Sequence, residues 1–317
     1  MKTRLVYSPH YDFSMLGLEK LHPFDPQKFS KAWQLLYKNF GRELNHRTTF
    51  VNAPVTNREL SLVHNEKYLQ SLRENKVIAN ILAIPLMAFI PHYFLNKGII
   101  APARYATSGT IIATQQALGG AIVFNLGGGF HHAFADHGEG FCFFADAALA
   151  LQIAINNQLL CATDCVISID LDAHRGNGLA SLLQDHPHAG IFDLYNMQVY
   201  PGLKDDPHEK YPFIIPLRAG LNCEGYLSLL KRKLPLFLQQ YSGAKLAFYN
   251  AGTDILATDK LGGLNVSYEA IVERDKFVID QLYARKIPTV IMTSGGYSPY
   301  SYKLIADLAT HVLKLNT

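Results

Sequence analysis

The sequence predicts an α/β protein built on a parallel sheet, which is either open or closed into a barrel. Near-continuous apolar runs rich in β-branched and aromatic residues recur along the chain, and such strands suit a sheet that is covered on both faces. Helix-period stretches lie between these runs, and strands that alternate with helices are typical of this class. The chain has 317 residues, of which 49% are hydrophobic and 17% charged, so it can bury the core that such a sheet needs.

Five strands and four helices make up most of the predicted elements. The strands are 121–129, 165–174, 189–196, 245–254 and 287–297, and the helices between them are 146–160, 224–241 and 267–286. The first 60 residues are predicted to be mainly helical, with a helix over 25–40 that has Asp25 as its N-cap and Pro26 as its first residue. No Ser/Gly-rich linker or repeat divides the sequence, so residues 1–317 are predicted to form one domain.

Charge and cysteine content argue against several classes of protein. The formal net charge is +3, and because the Lys and Arg residues are spread along the chain, we expect no direct binding of nucleic acid. The four cysteines form no CxxC pair, which favours a reducing compartment: the cytoplasm or, in a eukaryotic cell, the nucleus. The N-terminal residues contain no apolar run long enough for a signal peptide. The sequence does not indicate the oligomeric state.

One apolar segment, 77–95, is long enough to span a bilayer if it forms a single helix. Pro85 and Pro91 would break such a helix, and Asn80 and His92 would add a polar cost inside a membrane. We therefore expect no transmembrane span and predict a buried or pocket-lining segment instead.

Ionisable residues gather where one predicted strand ends, in the stretch SIDLDAHRGNG. Asp170, Asp172 and His174 occupy alternate positions, so in a strand they point the same way, and three such groups on one buried face need a bound ion. Asp254 ends another predicted strand and is either a helix N-cap or a further ligand. Asp172, His174 and Asp254 would leave open positions for water and substrate, as catalytic zinc sites do.

Two other motifs carry residue types suited to catalysis. His131 and His132 follow a glycine run, and beside a metal site such a pair offers a general base. Tyr297 follows the last predicted strand, and its hydroxyl could donate to an oxyanion where two carboxylates weaken a metal ion as a Lewis acid. Three further polar residues are interpreted as rim or loop residues: His137, Glu139 and Asp259.

Four motifs, in this order along the chain, resemble the zinc-dependent histone deacetylase family: NLGGGFHHAFADHGEGFCFFADAALA, IDLDAHRGNG, YNAGTDIL and SGGY. The stretches HPFDPQKF, AGTDILATDKLGGL and VYPG are most similar to its class IV branch, and the resemblance runs from about Tyr7 to Leu313. It implies the arginase/deacetylase fold, which is an open α/β/α sandwich with a central, mostly parallel sheet and an active site at the C-terminal strand ends.

The resemblance also implies a role for each matching residue. His132 matches the general base that later acts as general acid, His131 matches its electrostatic partner, and Tyr297 matches the tyrosine that polarises the substrate carbonyl. The residues that match the ligands of one zinc ion per chain are Asp172, His174 and Asp254, and those that match the acyl-lysine tunnel are Gly140, Phe141 and Tyr200.

A second cation site is implied beside the first. Asp170 falls where the family has a carboxylate that supports the first histidine and helps to hold a monovalent cation, for which K⁺ is the candidate. The side chain of Asp193 and the backbone carbonyls of Asp172, His174 and Leu194 would complete this site. Many members have Ser in place of Asp193.

Two departures from the family pattern bear on catalysis. Asn177 stands where the better-known classes have Asp, and because an amide cannot supply the same charge, the basicity of His132 should be lower. Class IV members share this Asn. No Asp in 90–105 matches the rim carboxylate that grips the substrate backbone in other classes.

The resemblance therefore implies hydrolysis of N6-acyl-lysine amides in a protein or peptide, histone or non-histone. The class IV branch is associated with the removal of long fatty acyl groups, so we expect these to be preferred, with 77–95 lining their pocket. A two-metal ureohydrolase would need bridging Asp residues that these motifs lack. An acetylpolyamine deacetylase is a closer alternative. A non-catalytic acyl-lysine binding module would be expected to lose a ligand, the base or the tyrosine. The ligand set is compatible with Fe²⁺ as well as Zn²⁺.

Overall fold

An eight-stranded parallel sheet forms the centre of the molecule. The structure is a computed structural model that describes residues 1–14, 16–17, 23–202 and 210–315. In chain order the strands are β1 (Lys2–Tyr7), β2 (Thr48–Phe50), β3 (Ala121–Asn125), β4 (Val166–Asp170), β5 (Ala189–Asn196), β6 (Phe213–Leu217), β7 (Leu246–Asn250) and β8 (Thr289–Met292). Their order across the sheet is β2-β1-β3-β8-β7-β4-β5-β6, and every neighbouring pair is parallel.

Helices cover this sheet in two groups. In chain order they are α1 (Lys28–Phe40), α2 (Glu43–His46), α3 (Asn57–Leu60), α4 (Glu66–Ser71), α5 (Asn75–Ile81), α6 (His92–Leu95), α7 (Ala101–Ala117), α8 (Asp146–Asn156), α9 (Asn177–Leu182), α10 (Cys223–Gln240), α11 (Tyr268–Ala284) and α12 (Ser301–Lys314). Helix α7 packs on α8, β1, β3 and β8. Helix α12 packs on α1 and α11 and against β1 and β3, and α10 packs on α11.

The fold class predicted from the sequence is confirmed. Strands β2 and β6 are the two edges of the described sheet, so it is open and the barrel alternative is wrong. All residues of β3, β4, β5, β7 and β8 are buried, which explains their near-continuous apolar runs. That residues 1–317 form one domain stays a prediction.

Three strands were not predicted because they lack that continuous apolar pattern. In β1 the burial alternates at its start, since Lys2 and Arg4 are exposed, and β2 has only three residues. Edge strand β6 is partly exposed and contains Pro216, which a sheet edge tolerates. The prediction of a mainly helical N-terminal region is therefore wrong for β1 and β2.

Several predicted boundaries are also wrong. The strand over 165–174 ends at Asp170, and the residues that follow form a loop of the candidate site. Helix α1 begins at Lys28 rather than Pro26, because Asp25 closes a turn ahead of it: the Asp25 Oδ1 atom accepts from Gln27 N at 3.0 Å. His22, the first residue of the HPFDPQKF stretch, lies outside the described residues.

The apolar segment 77–95 is broken at both prolines. It contains most of α5, a 3₁₀ helix over Pro85–Phe89 and then α6, and the described residues contain no helix that is long and apolar enough to cross a membrane. Leu82 is buried, whereas Phe89 is 85% exposed and Tyr93 66% exposed. The prediction of a buried or pocket-lining segment is thus confirmed for one face and wrong for the other.

Candidate active site

Four loops meet at the C-terminal edge of the sheet and carry the candidate site. Asp170, at the end of β4, lies opposite Asn250 of β7, and Asn250 lies opposite Met292 of β8. Strand β3 pairs with β8 on its other side. Because these four neighbouring strands are parallel, the loops that follow them leave the sheet side by side. This places the quoted motifs at one edge, as expected from the sequence.

Asp172, His174 and Asp254 form the described cluster that could hold a metal ion. All three are buried, and their candidate ligand atoms lie within 4.8 Å of one another. The His174 Nδ1 atom lies 2.9 Å from Asp172 Oδ1 and 2.9 Å from Asp254 Oδ2. The backbone N–H of Ala173 donates to Asp254 Oδ1 at 2.8 Å, and that of Gly295 donates to Asp172 Oδ2 at 2.7 Å. Backbone amides therefore fix both carboxylates.

This donor set fits a divalent cation. Burial, followed by the charge of Asp172, raises the pKa of Asp254 to about 7, the direction expected for two neighbouring buried carboxylates that a cation would stabilise. Carboxylate oxygens and one imidazole nitrogen are ligands that Zn²⁺ and Fe²⁺ accept. A Cβ atom at Gly295 would collide with the carboxylate oxygens of Asp172 and Asp254, so only glycine allows the loop after β8 to approach the cluster.

The two adjacent histidines have opposite electrostatic environments. The His131 Nδ1 atom lies 2.8 Å from Asp170 Oδ2. Burial alone would lower the pKa of His131, but Asp170 and Asp172 outweigh this effect and raise that pKa to about 9. Burial, and then the positive charges of His131 and His174, lower the pKa of His132. The two ring centroids lie 4.1 Å apart, and these environments favour a cationic His131 beside a neutral His132.

Asn177 lies against the second histidine, as the family pattern implies. Its Oδ1 atom lies 2.7 Å from His132 Nδ1 and accepts from Gly178 N at 3.0 Å. Its Nδ2 atom donates to Glu139 Oε1 at 2.7 Å. Glu139 was interpreted from the sequence only as a rim residue, and the structure shows that it also holds Asn177.

Tyr297 lies over the cluster on the loop after β8. Its ring stands edge-on to that of His174, with centroids 6.2 Å apart. Burial, and then the charges of Asp172 and Asp254, raise the pKa of Tyr297, so the hydroxyl keeps its proton and can donate a hydrogen bond. The Tyr297 N–H donates to Asp259 Oδ2 at 2.7 Å, which gives Asp259 a structural role that the sequence did not indicate.

Two of the three predicted tunnel residues, Gly140 and Phe141, line the cavity that reaches the cluster, whereas Tyr200 lies beside His132 outside that lining. Phe141 lies 5.8 Å from Tyr297 and Tyr200 lies 5.1 Å from His132, measured between ring centroids. Gly140 has φ 52° and Phe141 has φ 66°, and a Cβ atom at Gly140 would collide with the His132 ring. The apolar lining of the cavity is Phe13, Phe24, Phe29, Leu82, Phe130 and Phe141.

The carboxylates proposed for a second cation lie side by side. Asp170 of β4 is opposite Asp193 of β5, and both are buried. Asp193 Oδ2 accepts from Gly176 N at 3.0 Å, while its Oδ1 is buried with no hydrogen-bond partner among the described residues. Burial, and then the charge of Asp170, raise the pKa of Asp193. Leu194, whose carbonyl would be a ligand, is buried in β5.

Sequence reasoning missed two residues that shape the site. Asp146 accepts hydrogen bonds from the N–H groups of Gly129 and Phe130, both at 2.9 Å, and so holds the loop ahead of the histidines. An acid inside the apolar run FCFFADAALA was the available signal. Lys28 is buried in the cavity and its Nζ donates to Ser294 O at 2.8 Å. A lysine in the first turn of an amphipathic helix gives no sequence signal of burial.

Comparisons with known proteins agree with this geometry. Residues 22–313 match the family model described as "Histone deacetylase domain". Histone deacetylase 2 of Arabidopsis thaliana is 36% identical over 309 residues, which cover 96% of this chain and 77% of that protein. Histone deacetylase clr6 of Schizosaccharomyces pombe is 26% identical over 298 residues, 87% and 68% of the two chains. Acetoin utilization protein AcuC of Bacillus subtilis is 26% identical over 277 residues, 80% and 68%.

Proposed function

This chain belongs to the histone deacetylase family, and we propose that it is a zinc-dependent hydrolase of N6-acyl-lysine amides in proteins or peptides, of the class IV type. The observation that carries this proposal is the convergence of three elements at one end of an apolar cavity. These are the Asp172–His174–Asp254 cluster, a neutral His132 and a protonated Tyr297. Asn177 beside His132 supports the class IV assignment.

Substrate entry follows from the shape of the cavity. The aliphatic stem of an acyl-lysine would pass between Phe141 and Tyr200, and its amide carbonyl would come to rest between the cluster and the Tyr297 hydroxyl. A divalent ion held by the cluster would polarise this carbonyl and make the attacking water more acidic. The aromatic walls exclude bulk water, which strengthens each electrostatic interaction at the reacting atoms.

Proton transfer is assigned to the histidine pair. His132 Nε2 takes the proton from the attacking water and later gives it to the leaving lysine amine, while its Nδ1 stays bonded to Asn177. His131, fixed by Asp170, remains a cation and stabilises the negative charge that develops on the substrate oxygen. Tyr297 donates a hydrogen bond to the same oxygen, which is the kind of contribution that an oxyanion hole makes.

The lining of the cavity supports a preference for long acyl chains. Phe13, Phe24, Phe29 and Leu82 line the same cavity as His132 and Tyr297 and offer apolar surface to an acyl chain. Each methylene group buried against such surface contributes about 0.8 kcal/mol, so two further carbons should raise kcat/KM about tenfold until the cavity is filled.

A panel of peptides with acetyl-, octanoyl- and myristoyl-lysine tests this proposal. We expect kcat/KM to rise along the series, with the Tyr297→Phe variant as the inactive control. Equal or higher efficiency on the acetyl peptide would contradict the long-chain preference. Acetylputrescine is included because the partly exposed Glu139 carboxylate, which bonds to Asn177, could attract a cationic substrate. A higher kcat/KM for acetylputrescine than for every peptide would favour a polyamine deacetylase.

Two finer assignments complete the proposal. The adjacent carboxylates of Asp170 and Asp193, with the unpaired Asp193 Oδ1, support a monovalent cation, K⁺, behind His131. Replacing K⁺ by tetramethylammonium in the buffer should then lower the thermal stability of the protein.

The four cysteines are free thiols, which supports a reducing compartment, either the cytoplasm or the nucleus. Fluorescence microscopy of the tagged protein in cells would test this location.

A further inference from the structure

Three side chains form a continuous hydrogen-bonded chain from the cavity rim to the proposed base. Glu139 Oε1 accepts from Asn177 Nδ2 at 2.7 Å, and Asn177 Oδ1 lies 2.7 Å from His132 Nδ1. His132 is buried, whereas the side chain of Glu139 is 33% exposed. The chain therefore connects a carboxylate at the solvent boundary to a histidine next to the metal-ligand cluster.

The carboxylate determines which way the Asn177 amide points. An ionised carboxylate can only accept hydrogen bonds, so the Asn177 atom that faces Glu139 must be the NH₂ group. The carbonyl oxygen then faces both His132 Nδ1 and the N–H of Gly178. With the opposite orientation, a carbonyl oxygen would face the Glu139 carboxylate and an NH₂ group would face the Gly178 N–H, and both contacts would be repulsive.

The orientation of the amide in turn fixes the tautomer of the histidine. A carbonyl oxygen can only accept, so His132 Nδ1 must carry the proton, and Nε2 is left with the lone pair that a general base needs. Unlike the two oxygens of a carboxylate, the two ends of an amide are not equivalent, so an Asn at this position supplies the correct tautomer only if something fixes its orientation.

Local backbone structure holds Glu139 in place for this role. The N–H of Cys142 donates to Glu139 O at 2.8 Å and closes a tight turn through Gly140 and Phe141, both with positive φ. The other carboxylate oxygen, Oε2, lies 3.8 Å from His137 Nε2. The same turn thus presents Phe141 to the tunnel and the Glu139 carboxylate to Asn177.

We propose that Glu139 is a positioning residue, which orients the Asn177 amide so that His132 presents Nε2 as the base. The proposal rests on the proposed function of His132 and adds a residue to it. The better-known classes carry a carboxylate at the position of Asn177 itself, whereas in this chain the carboxylate lies one side chain further out, at Glu139.

The test compares Glu139→Gln in two backgrounds. In the wild-type chain, glutamine can donate as well as accept, so Asn177 loses one of the two groups that orient its amide and keeps only the Gly178 N–H. We expect kcat to fall about tenfold with little change in KM. In the Asn177→Asp background, position 177 is a carboxylate and needs no orienting partner, while Glu139 beside it is repulsive. There the Glu139→Gln substitution should raise kcat. Glu43→Gln, which removes the same charge from an exposed side chain of α2, is the matched control and should leave kcat unchanged.

The ¹⁵N chemical shifts of the His132 ring supply a second measurement that does not require turnover. We expect the Nδ1–H tautomer in the wild-type protein and a mixture of tautomers in Glu139→Gln. An equal loss of kcat in both backgrounds, or an unchanged tautomer in Glu139→Gln, would overturn the role of Glu139. If instead the tautomer shifts as expected but no acyl-lysine peptide is hydrolysed by the wild-type protein, the positioning role stands and the proposed function fails.

Discussion

The floor of the cavity, which we define as Asp172, His174 and Asp254, differs from the rim, which we define as Asn177, Glu139 and Tyr200. The floor carboxylates accept hydrogen bonds from backbone amides, whereas the rim side chains bond to one another. Asp172 and Asp254 each accept a hydrogen bond from a main-chain N–H of a neighbouring loop. At the rim, Asn177 and Glu139 are bonded through their side chains. The floor geometry therefore follows directly from the strand order, while the rim depends on individual residues.

The largest expected effect comes from removing a floor ligand. Asp254→Ala leaves one carboxylate and one imidazole, too few to hold a divalent ion. We expect bound metal, measured by elemental analysis after gel filtration, to fall from about one equivalent to none, and turnover to fall to background. Asp136→Ala, which removes an exposed acid, should keep both. Retention of a full equivalent of metal in Asp254→Ala would show that the cluster is not the metal site.

The Tyr297→Phe substitution tests catalysis separately from metal binding, because it removes a hydroxyl beside the cluster and leaves the three candidate ligands in place. Loss of one oxyanion donor typically costs about 10²- to 10³-fold in kcat, and we expect a loss in this range with metal content unchanged. KM should change little, because the hydroxyl contributes mainly in the transition state. A kcat within a few-fold of wild type would exclude Tyr297 as the donor.

Buried Lys28 predicts a pH dependence of stability. Burial lowers its pKa from 10.5 to about 8, although Asp254, Asp172, Asp259 and Asp25 act in the opposite direction. Between these two pH values the unfolded chain binds more protons than the folded one, so stability rises with pH.

Urea denaturation of the metal-free protein measures this effect. The free energy of unfolding of wild type, relative to Lys28→Met, should increase by about 2 kcal/mol between pH 7.5 and 9.5. The methionine variant, which has no titrating group at this position, serves as the reference at each pH. A constant difference would mean that Lys28 titrates normally in the folded state.

The smallest expected effect belongs to the rim. Tyr200 is 44% exposed, and its hydroxyl bonds to Glu139 near the tunnel mouth. Removing this partly exposed hydrogen bond with Tyr200→Phe should change kcat/KM only about two- to fivefold, because the aromatic wall remains. Steady-state kinetics on an acyl-lysine peptide would measure it. A loss as large as that of Tyr297→Phe would mean that rim and floor do not differ in the way described.

The sequence predicted the floor better than the rim for a physical reason. Strands buried on both faces give continuous apolar runs, and the ligands Asp172, His174 and Asp254 follow such runs directly. The edge strands and the burial of Lys28 leave no such pattern, so they could not be predicted. Asp259 and Glu139 lie on loops whose partners are distant in sequence, and only the folded chain shows which backbone or amide group each of them meets.

Acyl-lysine hydrolysis is expected to depend on one metal ion held by Asp172, His174 and Asp254. Metal-free protein is titrated with Zn²⁺ while release of myristate from a myristoyl-lysine peptide is followed. We expect turnover to rise linearly and saturate at about one equivalent per chain in wild type, and to stay at background in Asp254→Ala. Full turnover by metal-free protein, or no turnover of any acyl-lysine peptide at saturating Zn²⁺, would contradict it.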